Sequence, residues 1–254
     1  VVQAGRLTGL SAADLRARLA GTLPRVLHIE GDPERAAETA RALEELGFSI
    51  ITCDPRAAPG DQDRLQARGL RFLEGRLLIT DPGGEEEDVP PSSLSLIQRG
   101  VRATTLTEVS KKTERRLDLT RAVLSGGLML TKKVETKATK TTTSRDGFLL
   151  LHRADGERDV VIYERRIDYR FLGKELQPSS AGNFERLVAR LRELAPRAAY
   201  DDRLNRPGFL SGLPVPSGAA VDVALWLVQL FHLRGLAAPP GANAAVTGPA
   251  RRTS

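Results

Sequence analysis

Hydrophobic and polar positions along the chain fall into a helical part followed by a strand-rich part. Residues 11–20 (Ser-Ala-Ala-Asp-Leu-Arg-Ala-Arg-Leu-Ala) predict a short helix capped by Ser11. Val26 to Ile29 is a short apolar run that predicts a strand. Asp32-Pro33 then supplies an N-cap followed by proline at the first helical position. The helix is predicted to run to Gly47, with Ala36, Ala40, Leu43 and Leu46 spaced along one face, and Phe48 to Ile51 reads as the next strand. These elements predict a β-α-β module, closed by a linker of Pro, Gly and Asp over 54–63.

From Leu70 onward the pattern is of strands and turns. Leu73–Thr80 predicts a strand, Asp81-Pro82-Gly83-Gly84 a turn, and Leu94–Ile97 the opening of a second strand. The stretches 101–119 and 132–144 are rich in Thr and Lys and predict extended chain. Phe148–Leu151 and Val160–Tyr163 predict two further strands joined at Ala154-Asp155-Gly156, with another possible over Ile167–Leu172. Phe184–Leu194 is an amphipathic helix that Pro196 closes. The apolar stretch 219–233 carries Asp222, Gln229 and His232 and is about five residues short of a membrane span, so it predicts a buried or interfacial helix. The stretch Gly235–Ser254 has the composition of a disordered tail.

The order of strands with one closing helix resembles the bacterial pleckstrin-homology-like (PH/GRAM-type) β-domains. The residues that carry the likeness are Arg76-Leu-Leu-Ile-Thr-Asp-Pro-Gly-Gly84, Val89-Pro-Pro-Ser-Ser-Leu-Ser-Leu-Ile97 and the helix Asn183 to Pro196. The resemblance covers residues 64–196 and implies a bent antiparallel barrel plugged by a helix, which binds phosphoinositide, peptide or protein partners without doing chemistry. The segment 101–145 is longer and more polar than such a barrel needs. A second resemblance, to response-regulator receivers, rests on Val26-Leu-His-Ile-Glu-Gly-Asp-Pro33 and Leu77-Leu-Ile-Thr-Asp-Pro-Gly83. It implies a phosphoacceptor at Asp81 beside Mg²⁺ held by Glu30 and Asp32, yet the alternating helices and strands of that fold do not follow Asp81.

The expected fold class is therefore α+β. A small α/β module occupies 1–60, a PH-like antiparallel β-barrel with a C-terminal helix occupies 64–200, and a helix with a loose tail occupies 201–254.

Composition narrows the chemistry. One cysteine excludes an intramolecular disulfide or a multi-cysteine metal site, and His28, His152 and His232 stand far apart in the sequence. No phosphate loop is present, Ser125 lacks the glycine a nucleophile elbow needs, and Cys53 has only Arg56 nearby to activate it. No cofactor and no enzymatic activity are expected. No signal peptide is evident, so a cytoplasmic location is expected.

Charge singles out 99–145. Twelve basic residues against four acidic give this segment about +8, more than the +6 of the whole chain. It predicts an extended hairpin whose apolar tip, 119–130, is flanked by Arg115, Arg116 and Arg121 on one side and by Lys132 and Lys133 on the other. With Leu128 and Met129 these are the candidate ligand-binding residues. Inserted apolar side chains inside a cationic collar suit an anionic membrane, each nearby Lys or Arg adding about 1 kcal/mol. Packing of the tip on the core or across a homodimer, and a protein-partner site, are the other readings. With aromatics at 4% and a modest net charge, nucleic acid is not the expected partner. The expectation is a non-catalytic binding or scaffold module in bacterial signalling or envelope-associated regulation.

Overall fold

The computed structural model describes residues 1–117, 131–206 and 217–235. It divides into two compact units, one formed by Val1–Arg102 with Gly147–Ser254 and the other by Ala103–Asp146.

The first unit begins with three helices, α1 (Val2–Thr8), α2 (Ala12–Leu19) and α3 (Pro33–Glu45). Their starts follow from local chemistry. Ser11 Oγ accepts the Asp14 N–H at 3.1 Å, and Asp32 Oδ1 accepts the Glu34 N–H at 2.9 Å, so each cap satisfies an orphan donor of its helix. Beyond α3 the chain turns at Gly47, whose φ of 87° is strained for any residue with a Cβ. Ala4, Leu15 and Leu43 form the buried centre of this helical layer.

Val26–Ile29 and Phe48–Ile51, expected as strands, join no sheet; the β-α-β module is instead a helical layer. Leu27, Phe48 and Ile50 pack as extended chain against its core. Their apolar character is used for burial on helices rather than for strand pairing.

Among the described residues eight strands follow: β1 (Leu65–Ala67), β2 (Gly69–Leu73), β3 (Arg76–Thr80), β4 (Glu86–Val89), β5 (Leu94–Leu117), β6 (Thr131–Arg153), β7 (Val160–Tyr163) and β8 (Ala199–Asp201). They form a five-stranded sheet in the order β1-β7-β6-β5-β8 and a three-stranded sheet in the order β2-β3-β4. The expected single strand over 73–80 is broken by the Glu74-Gly75 turn between β2 and β3. Ile167–Leu172 is not a strand; a 3₁₀ segment spans Tyr169–Glu175. Among the described residues the architecture is mixed α+β, with two sheets and no closed barrel. Nor is it wholly antiparallel: β1 runs parallel to β7 with Leu65 opposite Val160, and β5 runs parallel to β8 with Leu96 opposite Ala199.

Two helices complete the unit, α4 (Ser180–Leu194) and α5 (Ser217–Leu233). Side chains alternate across β6 and β7. Leu149, Leu151, Val160 and Ile162 enter one core with Leu77, Ile79 and Val89 of the small sheet and with Phe184, Leu187 and Leu191 of α4. Phe148, Leu150, Val161 and Tyr163 face the other way and pack with Val221 and Leu225 of α5. Both faces of the strands are covered, which is why these segments read as unbroken apolar runs rather than as alternation. Among the described residues no helix is long and apolar enough to cross a membrane.

The described residues of the second unit belong to β5 and β6. The full strands have 24 and 23 residues and are hydrogen-bonded neighbours.

Candidate functional site

Four of the seven residues expected to bind a ligand fall on this ribbon. Arg115 and Arg116 lie in β5, and Lys132 and Lys133 lie in β6. Arg121, Leu128 and Met129 lie outside the described residues, as does the expected tail after Gly235.

Two members of the basic segment are already committed within the first unit. Arg99 Nη1 donates to Glu185 Oε2 at 2.9 Å, and its guanidinium carbon lies 5.6 Å from the centroid of the Phe184 ring. Arg102 Nη2 donates to Asp222 Oδ1 at 2.8 Å and stands 3.5 Å from Asp61. Residues 103–145 then keep ten basic against four acidic side chains, a net +6.

Asp81 closes the turn between β3 and β4, where its Oδ1 accepts the Glu85 N–H at 2.9 Å. Glu30 accepts the N–H groups of Gly31 and Asp32, which hold its carboxyl below the usual range. Asp32 caps α3. Each carboxylate of the receiver-type constellation thus serves its own local turn or cap. Among the described residues no group of three or more His, Cys, Asp or Glu side chains could hold a metal ion. Cys53 is half-buried, and burial together with the Asp54 charge pushes its thiol up, away from the thiolate.

What sequence separation concealed is a set of polar clamps along α5. In the first, Arg64, whose side chain is 4% exposed, donates to Asp222 at 2.8 Å and to Asp61 at 3.0 Å. Arg102 joins the same pair of carboxylates, and the Tyr163 hydroxyl donates to Asp61. Burial and the Asp61 hydrogen bond push the Tyr163 phenol up, so it remains a donor. An open cavity of about 360 Å³ lies beside this clamp, lined by Pro55, Arg56, Gly60, Gln62, Asp222 and Val223 among others.

In the second clamp, His152 Nδ1 meets Asp159 Oδ2 at 2.6 Å and His152 Nε2 meets Gln98 Oε1 at 2.7 Å. Gln98 Nε2 donates onward to the carbonyl oxygen of Leu225 at 3.1 Å. Burial raises the Asp159 carboxyl, but the His152 hydrogen bond and charge, the Arg153 N–H and Arg64 outweigh it and hold the carboxyl below its ordinary value. In the third, His232 Nε2 lies 2.8 Å from Asp201 Oδ2, and Arg203 bonds the same carboxylate. Burial opposes ionisation of Asp201 too, and the same two partners overcome it.

None of the clamps sets a nucleophile beside a base; they hold the helix on the sheet. No sequence motif announces them, because their members are separated by up to 158 residues. Their one visible trace is the polar residues, Asp222 and His232, within an apolar helix. No family model, curated protein or solved structure matches the chain.

Proposed function

We propose that this chain is a non-catalytic binding module, acting in bacterial signalling or envelope-associated regulation, whose ligand surface is the basic ribbon and whose partner is an anionic membrane surface. The observation that carries the reading is the pairing of two strands of 24 and 23 residues as neighbours, with ten basic and four acidic residues over 103–145. A two-stranded ribbon is marginally stable on its own in water, so one this long gains from a partner. The segment 99–145 contains no aromatic residue. Protein-partner hot spots favour Trp, Tyr and Arg, whereas a diffuse anionic surface needs only charge. Leu128 and Met129, with Arg115, Arg116, Arg121, Lys132 and Lys133 on either side, add an apolar anchor to the charge.

A relationship to the PH-like domains belongs to the same reading. It is supported by strands followed by α4, whose Phe184, Leu187 and Leu191 fill the core. The parallel edge pairs make it a variant without barrel closure.

Flotation with phosphatidylserine-containing and with neutral vesicles, at low and high salt, tests the proposal. Binding to the anionic vesicles that falls with salt, and is lost in Lys132→Glu/Lys133→Glu with unchanged circular dichroism, is the expected result. Absence of wild-type binding overturns it. A Met129→Asp chain that becomes monomeric or unfolded without wild-type lipid binding assigns the tip to a dimer interface or the core.

A further inference from the structure

His152 has 2% of its surface exposed and sits between two oxygen acceptors. Asp159 faces Nδ1. The atom facing Nε2 is fixed by the next link in the chain: the Leu225 carbonyl can only accept, so Gln98 turns its amide nitrogen to Leu225 and its oxygen to the ring. A neutral imidazole has one N–H and one lone pair and satisfies only one of these contacts. The imidazolium satisfies both.

Loss of the second proton leaves the Nε2 lone pair facing the Gln98 oxygen, because the carboxylate keeps the remaining N–H. Reversing the Gln98 amide to donate to the ring sets its oxygen against the Leu225 carbonyl. In either arrangement a buried contact between the sheet and the middle of α5 fails.

We propose that the His152–Gln98–Leu225 chain makes docking of α5 on the five-stranded sheet pH-sensitive, tight while the ring is doubly protonated and weaker as the pH rises past its deprotonation. The other charged groups around α5 hold it on either side of this link. Asp222, with Arg64, Arg102 and Asp61, lies about one turn before Leu225, and His232, with Asp201 and Arg203, about two turns after it. Arg153 offers its backbone N–H to Asp159 at 3.0 Å, and Ser95 Oγ binds the His152 carbonyl. None of these supplies a second acceptor-to-donor exchange at Nε2. Weaker docking bares Phe148, Leu150, Val161 and Tyr163, the apolar face that α5 covers.

The protein carries its own reporter, since its single tryptophan, Trp226, is half-buried in α5. Acrylamide quenching of Trp226 is expected to rise as the pH is raised across the neutral range, with the docking constant falling by up to about tenfold per pH unit, the limit for one proton. His152→Gln flattens the rise, as does Gln98→Met, which keeps the histidine and removes its acceptor. His232→Gln keeps the rise. Quenching that is independent of pH in the wild type overturns the proposal, as does a rise that persists in both His152→Gln and Gln98→Met. Imidazole nitrogen NMR gives a second reading: His152 shows two protonated nitrogens at the low end of the range, and a single protonated nitrogen there also overturns it.

Discussion

Arg102 and Asp222, 120 residues apart in sequence, meet at 2.8 Å and join strand β5 to helix α5. The same carboxylate holds Arg64, so one acidic side chain answers two largely buried guanidinium groups. Asp222→Ala leaves both underpaired and is expected to cost about 3 kcal/mol, the range for breaking a buried ion pair. Urea denaturation followed by far-ultraviolet circular dichroism measures it, and a midpoint equal to wild type refutes it.

Gly100 is dictated by space rather than by backbone conformation. A Cβ at this position would stand 2.7 Å from Phe148 Cζ and 3.4 Å from Leu204 Cβ. Gly100→Ala is expected to destabilise by about 1–3 kcal/mol through overpacking. Phe148→Leu in the same chain is expected to recover part of the loss, which a double-mutant cycle of denaturation midpoints detects.

The Asp32 cap ties α3 to its start. Asp32→Ala removes the acceptor of the Glu34 N–H and is expected to cost about 1 kcal/mol, while Asp32→Ser retains most of it. Hydrogen exchange across 33–45 reads the change locally, and equal protection in both variants contradicts it.

On the acid side, Asp159 and Asp201 carry the pH dependence. Both carboxyls lie below the ordinary value in the folded state, so the unfolded chain binds more protons there. Their stabilisation is present above the ordinary carboxylate value and is lost as the pH falls through the folded values. The thermal midpoint is expected to drop below about pH 4, with the slope reduced in Asp201→Asn. An identical slope in that variant contradicts the assignment.

Much of the fold was legible where a local rule coincided with the tertiary outcome. Ser11 and Asp32-Pro33 mark helix starts by backbone chemistry alone, and Phe148–Leu151 and Val160–Tyr163 are too continuously apolar to be anything but buried. Phe48–Ile51 misled because extended apolar chain looks the same whether it pairs with a strand or packs on helices. The parallel edges β1 and β8 have three residues each, too few to show a period. Charge was legible as a sum and not as a distribution: Arg99 and Arg102 count toward the basic segment, but their partners Glu185 and Asp222 come from helices far along the chain. His152 and His232, isolated in sequence, each gain a carboxylate through folding.

The first unit is interrupted in sequence, running to Arg102 and resuming at Gly147. The 44 residues between them stand as an insertion at a single point of the sequence. Lengthening such a loop costs little closure entropy, about 0.6 kcal/mol per doubling. The ribbon is therefore free to lengthen, shorten or change its charge from one descendant to another while the core that carries it stays fixed.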